Sequence, residues 1–357
     1  MRVTRKPDIA WRRYRSTAPS RSRDSPYPFA YGRTALEYGV RAIGLSRGDV
    51  VLCPDFVCHT VVESLRRAQL EVRFHPVTEA LTPDWSVLDA VPAESAAALV
   101  MVHYFGAPQD VDRYRTLCDG RGWRLLEDNA HGHGAIVDGR LLGTFGDLGI
   151  SSPYKSFPIR NGGLLYLPSG TAFDPPHLPC APLDLPVRMA RSALRRLQDL
   201  HLGLRGLLRK CPPYSSQAAF RDEVVLDWAM DTWSFQHLAG AALPALRHRR
   251  QALYRVWQEW SGRYGLSAVF PDLAPGAMPL VYPASTGSPA ASVAWFRWGH
   301  RNGIDVHSWP TLPLSVVTEN GPAVRRWERT VCFPIHQSLT PADLESHLRR
   351  LRPPPLH

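Results

Sequence analysis

The length and composition of the chain favour a folded, globular protein over a disordered or membrane-spanning one. It has 357 residues, of which 44% are hydrophobic and 10% aromatic, which is enough for the cores of two ordinary domains. No apolar run approaches the roughly 18 residues that a membrane span needs, and no apolar signal core follows the basic first residues. We therefore expect a soluble, cytoplasmic protein without a membrane partner.

The charge of the chain points to anionic small ligands more than to nucleic acids. The formal net charge is +10, which can indicate a nucleic-acid partner. The basic residues are scattered, however, and no DNA- or RNA-binding motif is present, so we expect no nucleic-acid binding. Six cysteines form neither a C-x-x-C pair nor a zinc spacing, so neither a metal site nor a disulfide framework is predicted.

The first half of the chain alternates short apolar runs with helical patterns. Residues 1–25 are basic and polar and predict an N-terminal arm. The elements predicted after it are a helix over 31–44, a strand at 49–54, a helix over 59–69, strands at 70–74 and 96–103, a helix over 110–122 and a strand at 123–128. Strands that alternate with helices indicate βαβ units and a mostly parallel sheet with helices on both faces.

The second half predicts a loop, a long helix and a smaller α/β unit. Proline-rich residues 168–186 are typical of a surface loop, and basic residues 188–210 of a helix with a solvated face. Beyond them we expect a long helix from about 225 past 256, a strand at 280–282, a helix over 292–301, a strand at 304–306 and a last helix capped at Thr340. The predicted domains are the basic arm (1–25), a large domain (26–235) and a small C-terminal domain (236–357).

An acid and a lysine stand out in the stretch from Leu125 to Gly163. Asp128 ends the apolar strand, and Lys155 follows it by 27 residues, shortly before the pair Gly162-Gly163. In open α/β sheets, ligands bind at the carboxyl ends of the strands, which is where Asp128 is predicted to lie. A lysine that forms a Schiff base and an acid that keeps a pyridine nitrogen protonated are the two groups that pyridoxal phosphate (PLP) needs.

Lysine usage strengthens this interpretation. Of 42 basic residues only Lys6, Lys155 and Lys210 are lysine, and the other 39 are arginine. A guanidinium stays protonated and cannot form an imine, so Lys155 occupies a position where arginine would not serve. Taken alone, Lys155 is equally explained as a surface residue and Asp128 as a turn residue or helix cap.

Several motifs occur in the order that one enzyme family uses. They are Gly32-Arg33-Thr34-Ala35-Leu36, Val102-His103-Tyr104-Phe105-Gly106-Ala107-Pro108, Leu126-Glu127-Asp128-Asn129-Ala130-His131, Gly143-Thr144-Phe145-Gly146-Asp147, Lys155 with Gly162-Gly163, and Phe333-Pro334-Ile335-His336-Gln337-Ser338-Leu339-Thr340. Together, from about residue 31 to 351, the chain resembles the DegT-type sugar aminotransferases, which are fold type I PLP enzymes. The resemblance implies an α/β fold whose large domain has a mostly parallel sheet between helices, followed by a smaller C-terminal α/β domain.

The resemblance also implies roles for individual residues. Lys155 matches the Schiff-base lysine, and Asp128 matches the acid that pairs with the pyridine nitrogen. His131 stands where the family has glutamine or histidine near the cofactor ring. The residues that match the phosphate site are Thr34 and Ala35, through their backbone N–H groups, and either Ser151 or Ser152. Arg33 is a further candidate for cofactor binding, and the alternative is that it only begins the helix and holds no ligand.

Three positions depart from the family pattern. Where the family often has a threonine–aromatic pair, this chain has Phe56-Val57-Cys58-His59, which leaves Phe56 or His59 as the ring-stacking candidate. The glutamate before the glycine pair is Asn161. A segment that reaches the partner's active site in the family corresponds to Asp231-Thr232-Trp233, and the resemblance implies a homodimer with shared sites.

The leading hypothesis is a PLP-dependent aminotransferase. It would move an amino group from an amino-acid donor to a ketone or aldehyde of a sugar, cyclitol or natural-product precursor through a Lys155 Schiff base, in two half-reactions with ping-pong kinetics. The same lysine–acid core also supports dehydration, epimerisation or decarboxylation. A non-catalytic binding protein on this fold is the remaining alternative, because fold does not fix function.

Overall fold

The described part of the chain is built on one large sheet and one small sheet. The structure is a computed structural model that describes residues 1–7, 25–180, 214 and 227–354. The large sheet has seven strands in the order β1-β9-β8-β5-β4-β2-β3. Its strands are β1 (Tyr27–Phe29), β2 (Val50–Pro54), β3 (Glu71–His75), β4 (Ala98–Val102), β5 (Arg124–Asn129), β8 (Leu148–Ser151) and β9 (Gly163–Tyr166).

Most neighbouring strands of this sheet run parallel, as the alternating pattern predicted. The pairs β2–β3, β2–β4, β4–β5 and β5–β8 are parallel, and β9 pairs antiparallel with both β8 and β1. Side chains of β5 alternate between two cores: Leu126 packs in one hydrophobic cluster and Leu125 in another. The sheet is therefore covered on both faces, and the carboxyl ends of its parallel strands share one edge.

The helices of this unit begin and end near the predicted residues. They are α1 (Gly32–Ala42), α2 (His59–Arg67), α3 (Trp85–Asp89) and α4 (Val111–Arg121). In α4 the Asp110 carboxylate accepts the Arg113 amide, and Gly122 ends the helix in the left-handed region at φ 68°. The glycine-marked turns after Gly134 contain a short antiparallel hairpin, β6 (Ile136–Val137) with β7 (Arg140–Leu141), which the sequence did not predict.

A second unit packs around a three-stranded antiparallel sheet. Its strands are β10 (Ser267–Ala268), β11 (Val281–Ser285) and β12 (Thr330–Pro334). Its helices are α6 (Leu243–Gly262), α7 (Pro289–Arg301), α8 (Leu314–Glu319), α9 (Pro322–Glu328) and α10 (Pro341–Leu348). Val3 is fully buried in the core of this unit and pairs with Ile304, so residues at the start of the predicted arm pack against the C-terminal unit.

The predicted long helix from 225 past 256 is wrong. Two helices replace it, α5 (Thr232–Ala239) and α6, with a break at residues 240–242. Gly240 ends α5, and Pro244 lies in the first turn of α6, where a missing N–H costs no helical hydrogen bond. Before α5 the chain is extended, and Ala229 pairs with Phe29.

Other predictions are refined or lie outside the described residues. The predicted strand at 304–306 contains isolated bridges only, whereas the Thr340 cap is confirmed, since its hydroxyl accepts the Asp343 amide. The predicted helix over 188–210 and part of the 168–186 loop lie outside the described residues. Among the residues that are described, no helix combines the length and apolarity needed to cross a bilayer.

Candidate active site

The carboxyl ends of the parallel strands bring the predicted acid and lysine to one cavity. The cavity has a volume of about 250 Å³ and is lined by Asp128 and Lys155 together with Ser152 and the first residues of α1. Other chemistry-bearing side chains at its lining are Cys58, Thr60, His103, His131, Tyr154 and Trp309. A single cavity therefore holds both groups whose spacing suggested a cofactor.

Asp128 reaches the cavity because of its position on β5. It shares a sheet face with Leu126, two residues earlier, and its Oδ1 accepts the Ala130 amide at 2.8 Å. Burial raises the pKa of the Asp128 carboxyl, while the nearby charge of Lys155 opposes that shift. A cationic nitrogen bound in the cavity would act in the same direction as Lys155 and favour the carboxylate.

Lys155 ends a short 3₁₀ turn, Pro153–Lys155, directly after β8. Its backbone amide donates to the Ser152 carbonyl at 3.0 Å, which fixes where the side chain leaves the turn. Burial lowers the pKa of the Lys155 amine, and the charges of Cys58 and Asp128 partly oppose that shift. A lowered pKa increases the neutral, nucleophilic fraction of the amine near neutral pH.

One end of the cavity is shaped like an anion cradle. The first turn of α1 is Gly32, Arg33 and Thr34, and the N–H groups of a helix's first turn have no partner within the helix. A Cβ on Gly32 would lie 2.3 Å from the Ser152 hydroxyl oxygen, so only glycine lets the helix start approach this serine. The Ala35 amide was predicted to bind the phosphate, but it donates instead to the Tyr31 carbonyl at the start of α1.

The two candidate serines separate clearly. Ser152 lines the cavity beside Gly32, whereas the Ser151 hydroxyl lies 3.1 Å from Nδ1 of the buried His133. Successive residues of an extended strand point to opposite faces, which explains why only one of them meets the cavity. Of the remaining cradle residues, Thr34 is fully buried, and its hydroxyl has no hydrogen-bond partner among the described residues.

His131 is a neutral wall of the cavity. Its Nδ1 accepts the Phe105 amide at 3.2 Å, which leaves the ring proton on Nε2. Burial holds the pKa of His131 well below its usual range, and the charge of Lys155 adds to that effect. The His131 ring also contacts Trp309 edge to face, with ring centroids 4.3 Å apart.

Phe56 and His59 lie away from the cavity lining, contrary to the stacking prediction. α2 begins at His59, and its backbone amide donates to the Thr311 carbonyl at 2.8 Å, which holds this residue against the segment after Trp309. Phe56 lies behind Trp309, with ring centroids 6.0 Å apart. Cys58 lines the cavity instead: burial raises the pKa of its thiol, but hydrogen bonding with His59 and the charge of Lys155 outweigh burial and lower it.

Sequence reasoning missed Trp309 and Tyr154. Tyr154 directly precedes Lys155, so its proximity could have been read from the sequence. Trp309 comes from a loop of the second unit and carries no local motif, so only the fold brings it to the cavity. The N-terminal segment also approaches here, since the Lys6 ammonium lies 4.7 Å from the centre of the Tyr154 ring.

Glu127, next to Asp128 on β5, belongs to a buried hydrogen-bond network that reaches the cavity lining through His103. Its carboxylate accepts Nε2–H of His103 at 2.9 Å and the backbone amides of Gly143, Phe145 and Gly146. His103 uses Nδ1 to accept the Gln109 amide, which fixes this tautomer. Burial raises the pKa of Glu127, but these hydrogen bonds outweigh it and hold the pKa below its usual range.

The chain resembles characterised proteins over this same region. Residues 29–173 match the model of the DegT/DnrJ/EryC1/StrS aminotransferase family. An L-glutamine:2-deoxy-scyllo-inosose aminotransferase of Streptomyces kanamyceticus is 30% identical over 138 residues, 38% of this chain and 32% of the relative. A dTDP-3-amino-3,4,6-trideoxy-alpha-D-glucose transaminase of Streptomyces venezuelae is 34% identical over 137 residues, 37% of this chain and 34% of the relative. The sequence matches therefore span about a third of each of these relatives.

The structural similarity extends much further along the chain. The PLP form of a proposed sugar aminotransferase from Streptococcus pneumoniae superposes with a TM-score of 0.64 at 15% sequence identity, covering 91% of this chain and 85% of that one. At that identity the superposition establishes the fold, and it confirms the predicted fold type I architecture. Residues 29–173 thus match the DegT/DnrJ/EryC1/StrS aminotransferase family model, within a chain that has the α/β fold of the solved aminotransferase structures.

Proposed function

We propose that this protein is a PLP-dependent aminotransferase. The observation that carries the proposal is that Lys155 and Asp128 line one cavity whose far end is the cradle of Gly32 and Ser152. Amine, carboxylate and anion cradle are the three features that the aldehyde, the pyridine nitrogen and the phosphate of PLP require. The residues present therefore fit the cofactor.

Each of these residues has a distinct role in the proposal. When bound, PLP supplies an aldehyde for amine exchange and a protonated ring that accepts the electron pair of the donor's α-carbon. The Lys155 amine holds the resting cofactor covalently and, once released, carries a proton on Nζ. The Asp128 carboxylate keeps the pyridine nitrogen protonated. The α1 N-terminus and the Ser152 hydroxyl bind the phosphate, and His131 and Trp309 form the wall of the cavity.

We propose a small polyhydroxylated carbonyl compound, such as a keto sugar or keto cyclitol, as the amino acceptor and an amino acid as the donor. The relatives support this class, since their names are those of aminotransferases that act on cyclitols and on nucleotide-linked sugars. They do not favour dehydration, epimerisation, decarboxylation or a purely binding role. A cytoplasmic location remains part of the proposal.

Borohydride reduction and peptide mapping test the cofactor assignment. We expect a visible absorbance band that reduction removes, and a pyridoxyl label on the peptide that contains Lys155. Lys6 is the informative competitor because it approaches the cavity beside Tyr154. A Lys6→Arg variant should therefore label as the wild type does, and Lys155→Ala should not label. A label on Lys6 or Lys210 in the wild type would refute the assignment.

We further propose a homodimer whose active sites lie at the subunit interface. The family resemblance supports it. Trp233 of α5 lies against the hydrophobic cluster of Phe157 and Ile159, just after Lys155, and its side chain is only partly buried by its own chain. Asp231 has a role within its own chain, because its carboxylate accepts the Ser234 amide and hydroxyl at the start of α5. Trp233 is therefore the residue to test.

A complementation experiment tests the shared site. Inactive Lys155→Ala subunits are mixed with Trp233→Ala subunits, which we expect to be weakly active. If each site uses both subunits, mixed dimers contain one intact site and recover part of the activity. No recovery, in mixtures shown by mass spectrometry to exchange subunits, would reject the shared site.

A further inference from the structure

A second cavity lies behind the aromatic residues that border the first. It has a volume of about 440 Å³, and Phe56 and Phe105 contribute to its lining. Both rings also pack on Trp309, with centroid distances of 6.0 and 5.2 Å, and Trp309 lines the first cavity. Phe56 and Phe105 thus form an aromatic partition between the two cavities.

The lining of the second cavity is strongly cationic on one side. Arg325, Arg326 and Arg329 of α9 and its C-terminal end line it, and Glu79 is the one acid among its described lining residues. The Glu79 side chain is 90% exposed, so solvent screens its charge. The aromatic partition, Leu81 and Val269 give the cavity an apolar wall, and the Arg326 guanidinium lies over the Phe56 ring, 5.5 Å from its centre.

Arg326 is the buried member of this group. Its side chain is only 6% exposed, and its Nη2 donates to the Val77 carbonyl at 3.0 Å and to Glu79 at 3.4 Å. Its Nε and Nη1 have no hydrogen-bond partner among the described residues. The Arg326 charge also acts on the Asp55 carboxyl, where it opposes the rise in pKa that burial causes. A buried guanidinium with unmade hydrogen bonds and an exposed ion-pair partner is still costly in free energy, and an anion held nearby would offset part of that cost.

We infer that the second cavity binds a small organic phosphate with a compact apolar body. Guanidinium groups pair with phosphate oxygens through two parallel hydrogen bonds, and three of them suit a doubly charged group better than a single carboxylate. The apolar wall accounts for the body of the ligand. This site is distinct from the cradle proposed for the cofactor phosphate, which lies at Gly32 and Ser152 in the other cavity.

Calorimetric titration of the full chain, loaded with PLP and then freed of excess cofactor by desalting, tests the site with three probes. Phenyl phosphate carries both the anion and the apolar ring, inorganic phosphate carries the anion alone, and phenol carries the ring alone. We expect saturable binding of phenyl phosphate that weakens as salt is raised, at least tenfold weaker binding of inorganic phosphate, and still weaker binding of phenol. The retained PLP keeps the cofactor cradle filled, and removal of the excess leaves no free PLP to compete for the second cavity. Because binding is measured directly, a failure of the proposed reaction would not be mistaken for a failure of this site.

Substitution of the two exposed arginines locates the binding. In Arg325→Ala/Arg329→Ala we expect the dissociation constant of phenyl phosphate to rise at least tenfold, and Arg325→Lys/Arg329→Lys should recover part of the loss. Arg349→Ala/Arg350→Ala removes the same charge from exposed positions just after α10 and should bind as the wild type does. The inference is overturned if phenyl phosphate shows no saturable binding, if phenol binds equally well, or if the two double-alanine variants behave alike.

Discussion

Glu127 and Asp128 are successive buried carboxylates on one strand, yet the sheet gives them opposite surroundings. Glu127 points to a closed network in which His103 and three backbone amides donate to its two oxygens. Asp128 points to the cavity, and among the described residues the Ala130 amide is the one hydrogen-bond donor to its carboxylate. The pKa of Glu127 is accordingly held below its usual range, and that of Asp128 is raised by burial.

Two cations, the buried Arg250 and the half-buried Lys155, differ in the same way. Arg250 is almost fully buried and donates to the carbonyl oxygens of Ser156, Pro279 and Ile335 and to the Gln337 amide oxygen. Lys155 lines the cavity one residue before Ser156. In each pair, hydrogen bonds within the protein satisfy one charged group, Glu127 or Arg250. The other group, Asp128 or Lys155, lies at the cavity. Saturated charges stabilise the fold, whereas the charges at the cavity remain available for a ligand.

Asp128→Asn removes the carboxylate that faces the cavity, and we expect it to have the largest effect of these substitutions. An amide cannot keep the pyridine nitrogen protonated, so we expect turnover to fall on the order of 10³-fold. Stability should change by less than about 1 kcal/mol or rise, because burial already disfavours the Asp128 carboxylate. The measurements are the single-turnover rate with an accepted amino donor and urea unfolding. Wild-type turnover would refute the role of Asp128.

Glu127→Gln changes the carboxylate of the buried network, and we expect it to lower the stability of the fold. A glutamine side chain turns one acceptor into a donor that faces backbone amides, so we expect a loss of about 3 kcal/mol in the free energy of unfolding. Turnover per folded molecule should stay within about threefold of wild type, because Glu127 does not line the cavity. The matched control is Glu71→Gln, an exposed position on β3. Unchanged stability in Glu127→Gln would show that this network does not stabilise the fold.

The charged groups at the cavity were easier to predict from the sequence than the buried charged groups that stabilise the fold. Asp128 and Lys155 are marked by local patterns: an apolar run that stops at an acid, and a rare lysine before a glycine pair. The saturating contacts of Arg250 reach partners 29 to 94 residues away along the chain, and no local pattern records them. Trp309 was missed for the same reason.

The sequence predicted the correct elements around the site, but it did not predict which of two neighbouring side chains faces the cavity. The segment around Phe56 and His59 was identified as part of the site, but the start of α2 at His59 gives the cavity Cys58 and Thr60 instead. Ser151 and Ser152 could be separated only once the register of β8 was known. Periodicity predicts that neighbours diverge, but it does not fix which of two faces meets a ligand.

Arg250→Met tests the saturated cation and should give an intermediate effect. Methionine keeps much of the volume but leaves several buried carbonyl oxygens without a donor, so we expect a loss of about 2 kcal/mol in the free energy of unfolding. Because Arg250 and Gln337 both donate to the Ser156 carbonyl, amide hydrogen exchange should also rise around Lys155. The control is Arg249→Met, the exposed neighbour on α6. Equal exchange in both variants would argue against Arg250 as a positioning residue.

The smallest expected effect concerns buried histidines away from the cavity, which keep one charge state for the sake of the fold. Burial lowers the pKa of His75 to about 4, with the Pro76 carbonyl opposing the shift, and burial likewise lowers the pKa of His133 to about 4. In the unfolded chain each would titrate near 6.5, so the stability that each neutral ring contributes is present above that pH and is lost as the pH falls toward 4. Between about pH 7.5 and pH 5.5 the loss is about 1 kcal/mol for each histidine.

His75→Gln should therefore flatten the dependence of the unfolding free energy on pH, whatever its effect at a single pH. His177→Gln, at an exposed position in the loop after β9, should leave the slope unchanged. Parallel pH profiles for wild type and His75→Gln would mean that His75 is charged in the folded protein or that its site opens to water.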